Sequence, residues 1–434
     1  MMSAYIASDN IITSLGFSTE ENVLMLKEGI VGIKSINDTT FSPNPFWASQ
    51  INNNQIDLKF EKIEKDKHYT RLEKLAILSI SDAISKTNID VKSKETVFIL
   101  STTKGNIDIL NSICTETQCL IRKVQFRGLH SEKIVKFTDV NEQIFRKRNE
   151  KNGLFVQTLN SESLLEHVKQ QLCLWDTAKL LQHYFSFVNT PIVISNACVS
   201  GVQAIITGSR LIHSGQYKNV VITGVDVLSK FVVSGFQSFQ ALGNEPCKPY
   251  DKTRNGLNLG EGCGTIILTS DEKSVNETNP IIVGSGFSSN DANHISGPSR
   301  TGEGLYLAIK QVLEDKLYTP TGNIDYISAH GTATSYNDEM ESISITRAGL
   351  EHVPVNSFKG YWGHTLGAAG VIESVAGIYS LKNNILFKSV GFKELGVSNK
   401  INIIEKTVEK KLNTFIKIAS GFGGCNTCLL FYKA

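Results

Sequence analysis

A cysteine and two histidines in this chain have the residue type and the neighbours needed for covalent catalysis. Cys198 follows the apolar run of residues 191–194 and precedes a segment rich in small and apolar side chains. This pattern predicts a thiol carried by a strand to the start of a helix, where free N–H groups and the positive end of the dipole favour thiolate and can bind an oxyanion. We therefore expect Cys198 to be a nucleophile.

The two histidines have equally specific surroundings. His330 ends an apolar segment and is followed by Gly-Thr, which places it at the carboxyl end of a strand, where open α/β sheets bind ligands. His364 lies at the predicted start of a helix, which disfavours imidazolium and keeps a neutral ring able to donate one hydrogen bond. A thiolate attacks a thioester readily and keeps the acyl group activated, so the three residues together predict acyl transfer between thiols.

Strand-like runs alternate with helical patterns along the chain, which is typical of a layered α/β protein with a largely parallel sheet. The predicted strands are 96–100, 192–195, 220–224, 265–268, 281–284, 324–329 and 415–418, and the predicted helices are 70–86, 161–185, 198–214, 302–315, 338–348 and 364–381.

The segments that contain Cys198 and His364 are built alike. Each places its reactive side chain three residues before a glycine, Gly201 or Gly367, at the opening of a helix of small and apolar residues. Two such helix starts that face each other across a pseudo-dyad would bring together residues that are 166 positions apart (364 − 198 = 166). The polar stretch 270–280 is predicted to be a surface connection between the two halves of the chain. The N-terminal half, residues 1–270, would contain the nucleophile, and the C-terminal half, residues 271–434, would contain both histidines.

Charged residues near the histidines are candidates for a supporting role. Asp338 and Glu341 lie one helical turn apart after the His330 loop, and Lys359 precedes His364 by five positions (364 − 359 = 5). We expect Glu341 and Lys359 to form a partly buried ion pair that orients the histidines. Ordinary surface charges are the alternative.

The glycine-rich segment 421–424 predicts a tight turn after a strand. Its glycines would let backbone N–H groups approach a ligand, and Phe422 would stand over the pocket and gate it.

Composition narrows the function classes. The net charge is +2 and 20% of residues are charged, so the overall balance requires neither nucleic acid nor an anionic membrane. The N-terminus lacks the pattern of a signal peptide and no apolar run is long enough to span a bilayer, which predicts a cytoplasmic protein. The basic stretch 122–152 is interpreted as an exposed excursion, either a solvated face or a surface for an acidic carrier.

The eight cysteines lack the spacing of a disulfide framework and are expected to be reduced. Cys425 and Cys428 form a CxxC pair, but no second pair and no following helix support a zinc or redox site. We expect a structural role for both residues and no metal.

Taken in order, the motifs resemble those of the β-ketoacyl-acyl carrier protein synthases, the elongating condensing enzymes with a Cys-His-His triad in the thiolase superfamily. The matching segments are 195–201 around Cys198, 248–251 with 255–262, 330–334 with Asp338 and Glu341, 359–370 and 421–424. The resemblance implies a thiolase-like fold of five αβαβα layers with two pseudo-repeated halves, in a homodimer or a heterodimer with a related subunit.

The resemblance also implies a mechanism and the residues that carry it out. Cys198 would accept an acyl chain from acyl carrier protein, with its own N–H and that of Phe422 as the oxyanion hole and with Phe422 and Gly423 in the gate. His330 and His364 would assist decarboxylation of malonyl-carrier protein by stabilising the enolate that attacks the thioester. Lys359, Glu341 and Asp338 would support the histidines. The reaction needs no metal or redox cofactor.

Several positions depart from the family pattern. Asn196 and Cys425 replace threonines that are common in the family, and the region 104–175 is longer and more charged than in ordinary fatty-acid enzymes. The segments 336–341 and 387–399 look more like ketosynthases of bacterial polyene-pigment pathways. The acyl chain length, the choice between fatty-acid and polyketide or aryl-polyene pathways, and the choice between homodimer and heterodimer stay open.

Four other functions compete with this assignment. A degradative thiolase needs a second catalytic cysteine before the final glycine turn, whereas Cys425 follows the glycines, and initiating or chalcone-type synthases have asparagine in place of His364. A papain-like protease would show local signatures that this chain lacks. The remaining alternative is a non-catalytic subunit that shapes the pocket of a ketosynthase partner, against which the presence of Cys198, His330 and His364 argues.

Overall fold

The computed structural model of the chain describes residues 2–65, 69–109, 172–275, 277–316 and 323–434. The predicted excursion 122–152, Cys114, Cys119 and the first part of the predicted helix 161–185 lie outside these residues.

The described elements alternate as the sequence predicts. The strands are Ala4–Ile12, Lys34–Ile36, Phe46–Ser49, Thr96–Ser101, Ile192–Ile194, Asn219–Asp226, Leu259–Gly260, Gly262–Thr269, Ile281–Asn290, Ile327–Ser328, Pro354–Asn356, Ile385–Leu386, Asn402–Ile403, Val408–Glu409, Thr414–Gly421 and Cys425–Lys433. The α-helices are Thr19–Glu28, Asn53–Phe60, Arg71–Ser85, Leu174–Phe185, Ser200–His213, Lys230–Ser238, Glu303–Glu314, Ser335–Arg347, Lys359–Trp362 and Ala369–Asn383, and Glu272–Ser274 and Leu366–Ala368 are 3₁₀ turns.

Eleven strands form one sheet whose strand order repeats. From one edge to the centre the order is 192–194, 96–101, 219–226, 262–269 and 4–12. From the other side, inside the edge strand 402–403, the order is 354–356, 327–328, 414–421, 425–433 and 281–290. In each half three strands run parallel and the fourth is antiparallel, and strands 4–12 and 281–290 pair antiparallel where the halves meet.

Alternate residues of the strands face different cores, which produces the layers. In the strand 96–101, Val97 and Ile99 point into a central core, while Phe98 and Leu100 point into an outer core with the helices 71–85 and 174–185. In the other half, Phe415 faces the central core and Ile416 faces an outer core with the helices 303–314 and 335–347. The helices 200–213 and 369–383 fill the central core, so the predicted αβαβα order is confirmed.

The two central helices approach each other at glycines. A Cβ added to Gly201 would lie 2.7 Å from the backbone nitrogen of Val371 and 2.9 Å from the Cα of Gly370. No side chain fits in this contact, which sets the distance between the helix starts that follow Cys198 and His364.

The division of the chain between residues 270 and 271 stays a prediction. The repeat supports it, because the strand 262–269 completes one set of five strands and the strand 281–290 opens the other.

Candidate functional site

Cys198 lies in a tight turn between the strand 192–194 and the helix 200–213. Ala197 has a positive φ of 46°, a conformation that non-glycine residues seldom adopt and that occurs at functional turns. The Ser200 hydroxyl accepts a hydrogen bond from the Asn196 backbone N–H (2.7 Å) and donates one to the Ala197 carbonyl (2.6 Å). The helix thus begins two residues after Cys198, and the thiol is held at its N-terminal end, 7% exposed.

Both predicted histidines lie beside the thiol. His364 Nε2 is 2.9 Å from Cys198 Sγ, which is within hydrogen-bonding distance. The ring of His330 meets that of His364 edge to face, with centroids 5.1 Å apart and planes at 87°. One ligand atom from each of the three side chains lies within 4.8 Å of the others, and all three residues are buried. The structure therefore brings the three predicted residues together.

The glycine-rich segment 255–262 holds the backbone of His364. Its N–H donates to the Asn258 carbonyl at 2.7 Å, and its carbonyl accepts from the Gly260 N–H at 2.9 Å. On the next turn, the Gly367 N–H donates to Asp226 Oδ2 at 2.7 Å. These bonds fix the loop that presents the imidazole to Cys198.

The protonation state predicted for Cys198 is wrong for the resting site. Burial raises the pKa of its thiol to about 12, and this outweighs the opposing effects of the Lys359 charge and of the Phe422 N–H on the sulfur. The helix dipole favours thiolate, but the cost of removing a thiolate from water is larger at this site. In the free site Cys198 is a thiol, and His364 is the side chain positioned to take its proton.

Both histidines are neutral, as predicted for His364, but for a different main reason. Burial holds the pKa of each imidazole well below its usual range, and the charges of Lys359 and Lys417 lower it further. The helix dipole at the start of the helix is therefore not needed to explain why His364 is neutral. Neutral rings can donate one hydrogen bond each to a developing anion.

The predicted ion pair between Glu341 and Lys359 is wrong. Glu341 accepts hydrogen bonds from the backbone N–H groups of His330 (2.8 Å) and Gly331 (2.7 Å) and from the Tyr250 hydroxyl (3.0 Å). The carboxylate therefore faces the backbone of the His330 loop, and these donors take up the lone pairs that an ammonium would need.

Asp338 supports the same loop from the preceding turn of the helix 335–347. It accepts hydrogen bonds from the backbone N–H groups of Thr332 (3.0 Å) and Tyr250 (2.7 Å). Burial, assisted by the charge of Glu341, raises the pKa of Asp338 to about 7.

The carboxylate partner of Lys359 is Glu373. Lys359 Nζ lies 2.6 Å from Glu373 Oε1, 2.6 Å from the His330 carbonyl and 3.3 Å from His330 Nδ1. A second lysine, Lys417, contacts the other oxygen of Glu373 at 2.5 Å. All three charged side chains are at most 1% exposed.

The sequence analysis missed Glu373, Lys417 and Asp226, although two of them left a signal. Glu373 is the one charged residue between His364 and Leu381, and Lys417 is a lone charge in the apolar run 415–419. Charges in such segments are rarely buried without a partner, so the two could have been paired on that ground. Asp226 gave no comparable signal, because its role depends on the turn at Gly367.

Phe422 and Gly423 lie in the hairpin turn between the strands 414–421 and 425–433. Gly423 and Gly424 have φ of 85° and 75°, values that favour glycine. The Phe422 N–H lowers the pKa of the Cys198 thiol, and the Phe422 ring stacks on Phe236, with centroids 5.6 Å apart. The predicted turn is therefore present, while the oxyanion and gating roles of Phe422 and Gly423 stay predictions.

A cavity of about 500 Å³ opens onto Cys198, His330 and His364. Phe422 lines it, and the exposed Phe239 packs edge to face on that ring with centroids 5.2 Å apart. An elongated substrate therefore has a route from the surface to the thiol.

Cys198, His330 and His364 are also grouped closely enough to be considered as metal ligands. Zinc bound tetrahedrally to a sulfur at about 2.3 Å and a nitrogen at about 2.0 Å would separate these two atoms by roughly 3.5 Å. The observed 2.9 Å between Cys198 Sγ and His364 Nε2 fits a hydrogen bond better.

The CxxC pair lies in the strand 425–433, where Cys425 is partly buried and Cys428 fully buried. Residues three apart in a strand point to opposite faces, which does not suit a disulfide or a shared metal. Within the described residues, no helix is both long enough and apolar enough to cross a membrane.

Comparison with protein families gives two matches. Residues 177–274 match the N-terminal domain of β-ketoacyl synthase, and residues 280–393 match its C-terminal domain. The triad residues fall within these matches, Cys198 in the first and both histidines in the second.

Curated relatives give the same family. The chain is 32% identical over 260 residues to a 3-oxoacyl-[acyl-carrier-protein] synthase of Schizosaccharomyces pombe, named as putative and mitochondrial, in a match that covers 55% of this chain and 60% of the relative. It is 34% identical over 257 residues to the 3-oxoacyl-[acyl-carrier-protein] synthase 2 of Vibrio harveyi, covering 56% of this chain and 61% of that protein. The chain thus matches about three fifths of the length of these relatives.

Solved structures confirm the fold along the whole chain. A ketosynthase in complex with its chain length factor from Xenorhabdus doucetiae aligns with a TM-score of 0.74 at 23% identity, covering 100% of this chain and 98% of that chain. A β-ketoacyl synthase from Burkholderia phymatum aligns with a TM-score of 0.78 at 21% identity, covering both chains completely. At these identities the likeness establishes the thiolase-like fold alone.

Proposed function

This chain belongs to the β-ketoacyl synthase family, and we propose that it catalyses the decarboxylative Claisen condensation of an acyl thioester with malonyl-acyl carrier protein. The main support is the 2.9 Å contact between Cys198 Sγ and His364 Nε2, with the neutral ring of His330 beside them in a cavity open to the surface. A nucleophile, a base and a second hydrogen-bond donor around one site are the groups that acyl transfer and enolate formation require.

The first half-reaction loads the enzyme. His364 Nε2 takes the proton of the Cys198 thiol as the sulfur attacks the carbonyl carbon of an acyl thioester. The carrier thiol leaves as the new thioester forms, and it takes up the proton from His364. Backbone N–H groups of Cys198 and Phe422 stabilise the tetrahedral oxyanion at the mouth of the turn.

The second half-reaction extends the chain. Malonyl-carrier protein loses carbon dioxide, and the electron pair of the broken bond forms an enolate whose oxygen accepts hydrogen bonds from His330 and His364. The carbanion carbon attacks the carbonyl carbon of the Cys198 thioester and displaces the Cys198 thiolate, which takes up a proton from solvent, and the product is a β-ketoacyl thioester on the carrier protein. The neutral state of both imidazoles suits this donor role.

The remaining predicted residues act on the backbone and the gate. Glu341 and Asp338 hold the His330 loop through its N–H groups, and Lys359 fixes the His330 ring and carbonyl. Phe422, carried by the turn with Gly423, separates the acyl and malonyl sites by moving its ring. We propose this division of roles from the contacts described above.

We also propose the partners, the location and the cofactor requirement of the enzyme. The partners are acyl- and malonyl-loaded acyl carrier protein and a second ketosynthase-like chain, in a homodimer or a heterodimer, with the enzyme in the cytoplasm. The chemistry needs no metal or redox cofactor. The two halves, residues 1–270 and 271–434, contribute the nucleophile and the histidines respectively.

Intact mass analysis tests this proposal. The protein is exposed to a panel of acyl-carrier proteins that differ in chain length and saturation, and peptide mapping locates any added acyl mass. We expect acylation at Cys198 and its loss, with release of a β-ketoacyl product, when malonyl-carrier protein is added. The Cys198→Ala variant should gain no acyl mass.

Mixing the same variant with a ketosynthase partner tests the alternative, that the chain is a non-catalytic subunit. If Cys198→Ala supports full product formation when mixed with a ketosynthase partner, the chain shapes a pocket and the proposal is wrong.

A further inference from the structure

Lys417 is a buried cation that the reaction as written does not use. It lies in the strand 414–421 with no exposed surface. Its Nζ lies 2.9 Å from the carbonyl oxygen of Ala329 and 3.3 Å from that of Ser328, the two residues that precede His330. The same Nζ contacts Glu373 Oε2 at 2.5 Å. Lys417 therefore joins the strand that carries His330 to the helix 369–383 that follows His364.

The charges in this contact do not cancel. Glu373 is shared by Lys359 and Lys417, so with both lysines protonated the three side chains together carry one net positive charge next to the two histidines. Burial lowers the pKa of Lys417 to about 8, so this charge is present at neutral and acid pH and is lost as the pH rises through about 8. The other nearby carboxylate, Glu341, accepts hydrogen bonds from backbone N–H groups and the Tyr250 hydroxyl, and its charge opposes that of the lysines in part. Burying an extra cation has a free-energy cost, and an apolar side chain would commonly stabilise the core at least as well. Stability alone does not account for Lys417.

We propose that Lys417 is a positioning residue for decarboxylation: it fixes the carbonyls before His330 and places a net positive charge behind the ring, where negative charge develops on the malonyl group. This inference rests on the proposed function. It assigns to Lys417 no contact with substrate, because the lysine acts through the His330 backbone and through Glu373.

The effect on His330 depends on every charged group around it. Burial is the main cause that lowers the pKa of His330, and the charges of Lys359 and, to a smaller extent, Lys417 lower it further. Removing Lys417 therefore raises the pKa of His330 towards its ordinary value. The titratable and charged groups that face this site from the packed elements are Cys198, Tyr250, Asp338, Glu341, Lys359, His364, Glu373 and Lys417.

The test compares Lys417→Met, Lys417→Gln and a control. Lys417→Met removes the charge and the hydrogen bonds, whereas Lys417→Gln keeps a donor for the carbonyls of Ser328 and Ala329. Lys382→Met is the matched control, because Lys382 lies on the same helix as Glu373 and pairs with two carboxylates, Asp9 and Glu277, away from the site. Each variant is assayed for acyl loading of Cys198 and, separately, for carbon dioxide release from malonyl-carrier protein between pH 5 and 9.

We expect Lys417→Met to release carbon dioxide about tenfold more slowly, through kcat rather than KM, with a smaller effect on acyl loading. The pH at half-maximal rate on the acid side should move up, because His330 protonates more readily. Lys417→Gln should show the same shift with a smaller loss of rate. The inference would be overturned if both Lys417 variants released carbon dioxide at the wild-type rate with the wild-type pH midpoint on the acid side. It would also be overturned if Lys382→Met showed the same changes as the Lys417 variants.

A measurement without substrate keeps this inference separate from the proposed function. In protein labelled with ¹⁵N-histidine, the His330 ring is assigned by its loss in His330→Gln and titrated by NMR. We expect its midpoint to rise in both Lys417 variants and to stay unchanged in Lys382→Met. If the His330 midpoint is unchanged in folded Lys417 variants, the inference is wrong even if the enzyme catalyses condensation. If the midpoint shifts but the protein never releases carbon dioxide, the placement of charge is supported and the proposed function is wrong.

Discussion

At the scale of single residues, the site is a neutral thiol and two neutral imidazoles surrounded by buried charges. Burial determines the protonation of Cys198, His330 and His364, and the ionised groups are kept one layer back, on Lys359 and Glu373. In the proposed reaction, the polar groups that face the substrate thus stay uncharged until a bond is made or broken. This arrangement suits a reaction whose negative charge is transient.

The pH dependence of Cys198 alkylation follows from its pKa of about 12. Because thiolate is the reactive form, the rate of modification by iodoacetamide should rise about tenfold per pH unit from pH 7 to pH 9, without a plateau. Peptide mapping follows Cys198 apart from the exposed Cys173 and the partly buried Cys425. A plateau near pH 7 would show a preformed thiolate–imidazolium pair and contradict the assigned resting state.

Glu341→Gln tests the carboxylate that holds the His330 loop. The amide has one oxygen to replace two, so at least one buried N–H of His330 or Gly331 loses its acceptor, at a cost of about 1–3 kcal/mol in the free energy of unfolding. Urea unfolding measures this cost. Glu351→Gln, at an exposed carboxylate just after the same helix, is the control and should change stability by less than about 0.5 kcal/mol. Equal stability of both variants would show that Glu341 does not hold the loop.

The residue types to which we assign the chemistry could be predicted from the sequence, but their partners could not. Cys198, His330 and His364 each stand in a recognisable local pattern, whereas the partner of Lys359 depends on how the helix 369–383 packs. Glu341 was the predicted partner because it follows the His330 loop, and the fold presents Glu373 instead. Likewise, the dipole at a helix start is visible in a sequence, while the depth of burial that determines the pKa of Cys198 is not.

At the scale of elements, two helix starts define the site. The helices 200–213 and 369–383 cross at Gly201 and Gly370, and this contact sets the distance between the turns that present Cys198 and His364. The predicted helix limits differ slightly from those observed, since the helix after Cys198 begins at Ser200 and a 3₁₀ turn over Leu366–Ala368 precedes the second helix. Both reactive side chains therefore lie just before their helices.

Gly201→Ala tests this crossing. The added Cβ would meet the backbone of Val371 and Gly370 at less than 3 Å, so the helices must separate, at a cost of about 1–3 kcal/mol. We also expect slower acyl loading, because the separation lengthens the distance from Cys198 Sγ to His364 Nε2.

Gly235→Ala is the control for the helix effect of the substitution. Gly235 lies in the helix 230–238, and an added Cβ would meet nothing within 4 Å, so this variant should gain about 0.5–1 kcal/mol and load normally. Thermal unfolding and the rate of loading measure both effects. If Gly201→Ala behaves like Gly235→Ala, the close crossing does not set the geometry of the site.

At the scale of the whole molecule, the repeat explains why residues so far apart in sequence meet. Each half contributes five strands in the same order and one central helix, and the reactive residues stand at corresponding helix starts. The sequence analysis could predict the repeat because the two starts share a spacing to glycine and a small-residue helix. It could not predict that the halves pair through the strands 4–12 and 281–290 into one sheet, because pairing between distant strands leaves no local pattern.

The most direct test of the account is the release of carbon dioxide from malonyl-carrier protein labelled in the free carboxyl group, in a single turnover of enzyme with Cys198 already acylated. We predict one carbon dioxide per extended chain for the wild type. His330→Ala should still accept the acyl group but release carbon dioxide about 10²–10⁴-fold more slowly, whereas His364→Ala should be slowed in both steps because His364 Nε2 lies within hydrogen-bonding distance of the sulfur. Wild-type rates of carbon dioxide release in both histidine variants, or acyl transfer through a cysteine other than Cys198, would contradict the account.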